Sequence, residues 1–99
     1  MATHGLRDQD WLEGSSNYVI WKERIQFLLD EFDLKTFVAN VVVVPKNPDQ
    51  LMKYKTNMAK CKRLILDGIN DHIVSHVAGK GIAREMWEVL FLLYEGTSK

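Results

Sequence analysis

The chain holds one cysteine, Cys61, so no internal disulfide can form. That excludes the small secreted scaffolds that rely on such bridges, and a reducing, cytoplasmic setting is the expectation. Proline occurs twice, at Pro45 and Pro48, and glycine six times. Such scarcity excludes collagen-like and linker-like chains and leaves long segments free to form helices. The longest aliphatic run is the four residues Val41 to Val44, far below the ~20 that a bilayer-spanning helix needs. Met1 to Asp10 is polar and charged, without the apolar centre of a signal peptide. Charge excess of either sign is also missing, with thirteen Lys+Arg against thirteen Asp+Glu. A surface that tracks phosphates needs net positive charge, so the global balance argues against membrane or strong nucleic-acid binding. It also removes long-range repulsion between copies of the chain.

Catalytic constellations are absent too. The sequence has no phosphate-cradling glycine loop, no Gly-x-Ser-x-Gly elbow and no Asp-Thr/Ser-Gly. Asp30, Glu31 and Asp33 cluster, but beside Leu28, Leu29 and Phe32 they read as the polar side of a helix end. His72 and His76 are four apart and share a helix face, yet two ligands are too few for a metal site. The expectation is a protein that is not an enzyme, takes no cofactor and has no small-molecule substrate.

What remains is ordinary globular material: 99 residues, 46% hydrophobic and 26% charged. That is one domain, burying roughly two-thirds of its unfolded surface. Residues 1–11 read as a flexible arm, 12–96 as the folded domain and 97–99 as a tail. Tyr18, Trp21, Ile25, Leu28 and Phe32 recur at spacings of three and four, the stripe of an amphipathic helix. Ser16 or Asn17 is placed to cap its start. Asp33 is expected to cap a short second helix, Leu34 to Ala39, with Asn40 closing it in a left-handed conformation. Lys46 to Asp49 reads as a polar loop. The longest helix follows from Asp49 to near Gly68, with Leu51, Tyr54, Met58, Cys61 and Ile65 on its stripe. A fourth, started by Asn70 or Asp71, carries Ile73, Val74 and Val77 and breaks at Gly79-Lys80-Gly81. The last runs from about Ile82 to Tyr94, with Ala83, Met86, Trp87, Leu90 and Tyr94 inward, and ends at Gly96. The fold class is therefore all-α, a small irregular or orthogonal bundle of about five helices.

Three groups stand out as candidate contacts. The central helix carries Lys53, Lys55, Lys60, Lys62 and Arg63 with no acid between Gln50 and Leu66. These are candidates for weak RNA contact or an acidic partner, set against a plainer reading in which lysine stems flank a buried stripe. Trp11 lies ahead of the first helix and either staples it or docks on a neighbouring subunit. Val41, Val42, Val43 and Val44 form a stiff, extended-prone run into Pro45. They are either a buried connector or an apolar strip for self-association.

Two blocks of sequence resemble one family. The first is Leu12-Glu13-Gly14-Ser15-Ser16-Asn17-Tyr18 followed by Trp21-Lys22, Arg24 and Phe27-Leu28. The second runs from Ala59 through Leu64, Ile65 and Leu66 to Ile73 and Val77-Ala78, ending in Ala83, Glu85-Met86-Trp87, Leu90 and Leu93-Tyr94-Glu95-Gly96. Together they are similar to the N-terminal part of Copia-type LTR retrotransposon Gag proteins, across roughly residues 12 to 96. That family usually places a tryptophan early in the central helix, where the nearest aromatic here is Tyr54, and no zinc knuckle is present. The resemblance implies a capsid N-terminal-lobe fold and a structural role. Its partners would be itself or other Gag chains, in a homo-oligomer that builds virus-like particles. The alternative it implies is a domesticated Gag-derived module that binds a peptide, Gag or RNA partner.

Overall fold

A computed structural model describes residues 6–95. The expected helix end at Gly96, the tail and the first five residues of the arm lie outside these. Five α-helices follow one another: α1 (Tyr18–Glu31), α2 (Thr36–Ala39), α3 (Pro48–Asp67), α4 (Asp71–Val77) and α5 (Ala83–Tyr94). Two 3-10 turns, Asp8–Asp10 and Ser15–Asn17, precede them. The fold is thus a small all-α bundle, and no strand is formed among the described residues.

Local chemistry sets the helix ends, and several differ from the sequence expectation. Asn47, not Asp49, opens α3: its Oδ1 accepts from the Asp49 and Gln50 amides at 2.9 and 3.2 Å. Pro48 then occupies the first turn, where its missing N–H costs nothing. Asp33 does not cap α2. It closes α1, sitting at φ 61°. The Leu34 amide reaches back to the Leu29 carbonyl (2.7 Å) and the Asp33 amide to the Asp30 carbonyl (3.0 Å). That is a Schellman closure with aspartate where glycine is usual, and buried Leu29 and Leu34 supply its apolar contact. Asn40 is extended (φ −138°, ψ 159°) and not left-handed. Neither Ser16 nor Asn17 caps α1, because the Asn17 side chain is used elsewhere. Gly79 does adopt a left-handed φ of 90°, which breaks the chain after α4.

α5 is the hub, packing against α2, α3 and α4. α1 lies alongside it in the opposite direction, since Tyr18 meets Tyr94 and Trp21 meets Trp87, each with ring centroids 5.7 Å apart. Tyr18, Trp21, Ile25, Met58, Cys61, Ile65, Val77, Met86 and Leu90 are buried; Leu28, Phe32, Tyr54, Trp87 and Tyr94 pack partly buried around them. Ile73 and Ala83 are buried as the sequence stripes place them, and Leu12, Leu29, Leu34, Val38, Leu64 and Ile69 complete the core from outside those stripes. No described polar or charged residue is buried.

Candidate interaction surface

Most of the opening of the first sequence block, with Trp21, is used by the fold itself. Leu12 is buried and forms an isolated parallel bridge with Ile69. Its amide donates to the Gly68 carbonyl (2.9 Å), and its own carbonyl accepts from the Asn70 amide and side chain (3.1 and 2.9 Å). The buried Trp21 indole donates to the same Gly68 carbonyl at 2.8 Å. Asn17 accepts from the Glu13 amide and donates to the Trp11 carbonyl, both at 2.9 Å. Gly14 takes φ 159°, ψ −160°, a region open essentially to glycine. These residues clasp the start of the chain to the α3–α4 corner. Trp11 belongs to the clasp: it is half-buried and its indole donates to the Leu6 carbonyl at 3.1 Å. Within the expected arm, Leu6 also packs partly buried against the core. His72 joins the clasp through the Glu13 carbonyl (3.1 Å). Among the described residues, no group of three or more His, Cys, Asp or Glu could hold a metal ion.

The five cations of α3 do not converge. Lys60 Nζ sits 4.0 Å from the Phe32 ring centroid, and Lys62 Nζ donates to the Gly81 carbonyl at 3.2 Å. Arg63 pairs with Asp67 (3.4 Å) on the exposed surface, where such a pair contributes little. Lys53 and Lys55 point to solvent. The charges are thus spread to both flanks of the helix, in keeping with stems lying beside a buried stripe.

The apolar surface is more distinctive. From Val41 to Lys46 the chain runs without turn or bend between α2 and α3. Val41 is 72% exposed, Val43 84% and Val44 53%, while Val42 and Pro45 are half-buried. Among the described residues, no amide or carbonyl of Val41 to Val44 has a hydrogen-bond partner. α1 adds Ile20 and Phe27, seven residues apart on its outer side, and Val19 beside them. α5 adds Phe91 and Leu92, which with Arg84, Trp87 and Glu88 line an open cleft of about 510 Å³.

Arg84 joins the α5 cleft to the end of α2. Its Nη1 donates to the Val38 and Ala39 carbonyls at 2.7 and 2.9 Å, and its Nε to Glu88 at 3.0 Å. A four-residue helix cannot persist alone. α2 is held because α5 supplies a guanidinium to its unsatisfied carbonyl end. The valine run leaves from that anchored end. Nothing in the local sequence of α2 signals this partner, which lies 45 residues away.

The reactive groups are subdued. Burial pushes the Cys61 thiol up to about 12, and its Sγ faces the Leu34 carbonyl at 3.9 Å. Burial also raises Tyr18 above the usual tyrosine value, helped by the charge and hydrogen bond of Glu95. Glu95 is held below the ordinary carboxylate value, chiefly by its hydrogen bond from Lys22. No described helix is long and apolar enough to cross a membrane. No protein-family model, curated protein or solved structure matches the chain.

Proposed function

We propose that this chain is an N-terminal capsid lobe of a Copia-type Gag protein, a non-enzymatic building block that associates with further copies or other Gag chains into a shell. The observation that carries the reading is apolar surface left over once the core is complete. Val41, Val43, Val44, Ile20 and Phe27 are large, exposed and surplus to a core with no buried side-chain polar atom lacking a partner among the described residues. Contiguous exposed apolar residues, such as the valine run, are the usual mark of an interaction surface. Zero net charge lets like copies approach. Shells are built from many small symmetry-related contacts, so no single interface has to be large.

A domesticated binding module is the second reading, favoured by the cleft along α5 lined by Trp87, Phe91 and Leu92. Sedimentation velocity over a wide concentration range separates the two. Average mass rising with concentration is the expected result. A strict monomer throughout, with saturable binding of one peptide or RNA ligand, would replace the capsid reading by the module.

A further inference from the structure

We propose that the Val41–Val44 run acts as a β-strand that pairs antiparallel with the same run of a second copy of this chain. This rests on the self-association reading and specifies the contact that performs it.

Three features lead there. Connecting loops are normally built from turn formers, because exposed apolar side chains gain nothing there. Here the connector is four consecutive β-branched residues, stiff at χ1 and suited to a pleated surface. Second, the segment is presented already ordered. Arg84 pins the end of α2 to α5, and Asn47 caps α3 on the other side. Pairing therefore immobilises little that is not already held, which lowers the entropy cost of association. Third, the backbone is available: no described group bonds the amides or carbonyls of the four valines. An extended chain offers them on alternate edges, Val41 with Val43 and Val42 with Val44.

Charge and the missing proline donor choose the geometry. Parallel pairing would set Lys46 beside Lys46 across a strand spacing of roughly 5 Å. Antiparallel pairing about a two-fold axis at Val42 or Val43 puts the two Lys46 side chains roughly 20 Å or more apart, beyond the screening length of about 8 Å. Either axis allows a register in which valines alone exchange hydrogen bonds. An axis at Val42 joins Val41 to Val43, and one at Val43 joins Val42 to Val44. In the first register Pro45 is the next residue on the bonding edge and, having no N–H, ends the ladder; in the second it lies on the outer edge, where no donor is needed. The two-fold relation makes the contact isologous and self-complementary.

Its area sets its strength. Two four-residue strands bury far less than the roughly 800 Å² per partner of a stable dimer. One contact alone is weak, and it becomes durable when repeated through a lattice or reinforced by a second apolar patch.

The test is amide exchange read by NMR on the full chain, at concentrations spanning the association curve. Protection of one alternate pair, Val41 with Val43 or Val42 with Val44, is expected to rise at least tenfold with concentration. Val43→Pro and Val44→Pro each remove one donor from opposite edges without removing apolar bulk. One of them is expected to weaken association at least tenfold, with helicity by circular dichroism unchanged. Association that proceeds while all four amides exchange unprotected would overturn strand pairing and leave self-association standing. A chain that stays monomeric at every concentration would overturn both.

Discussion

Asp33 is the residue whose backbone carries the clearest strain. A non-glycine residue at φ 61° pays for a left-handed conformation, and aspartate is among the few that tolerate it. Asp33→Gly relieves that strain and loses some unfolded-state restriction. The net expectation is a gain of about 0.5–1 kcal/mol, read as a higher urea midpoint. Cys61 gives the pH counterpart. Its thiol is held neutral in the fold and pushed from the usual 9 up to about 12. In the unfolded chain it ionises near 9, so its contribution is complete below that pH and is lost as pH climbs toward the folded value. Tyr18, raised by burial, adds a second loss that starts above 10. The urea midpoint should therefore hold through neutral pH and fall from about pH 9 upward. Cys61→Ala should remove the first part of that fall.

Among the elements, α2 is the weak one. Four residues make barely one turn, with Val38 as their buried anchor. The guanidinium of Arg84 holds its carbonyl end through two charge-assisted hydrogen bonds. Arg84→Met keeps most of the stem's packing and deletes both. We expect a loss of about 1–3 kcal/mol. Amide exchange should accelerate through Thr36–Asn40, while α3 and α4 keep their protection. Exchange rising equally everywhere would mean that Arg84 supports the whole fold and not α2 in particular. Because the valine run leaves from α2, the same substitution should weaken self-association even though no apolar contact is removed.

For the molecule as a whole, balanced charge and leftover apolar surface predict the salt response of assembly. Contacts made by valines and by Ile20 or Phe27 persist or strengthen as salt rises, since screening weakens only charge pairs. Assembly driven by the α3 lysines on an acidic patch would dissolve instead. Sedimentation at low and high salt distinguishes these. The intramolecular engagements of Lys60, Lys62 and Arg63 make the apolar outcome the expected one.

The all-α class was written in the sequence because side-chain periodicity is a local property: the stripes Tyr18–Trp21–Ile25 and Met58–Cys61–Ile65 declare a helix and its inner face without reference to anything distant. Turn chemistry at Gly79 and the end of α3 near Gly68 were legible for the same reason. Helix ends were less so, since Asp33 and Asn47 each suit more than one capping role and only the surrounding backbone chooses between them. The four valines marked themselves as unusual, yet whether they lie under the helices or outside them was not local information. Tertiary structure decided that Val43 faces out and Val42 partly in, that Trp21 and Leu12 share the Gly68 carbonyl, and that Arg84 closes a helix 45 residues earlier in the chain. Those outcomes depend on which surfaces meet when the helices pack, and a hydrogen bond between distant residues leaves no mark on the sequence around either one.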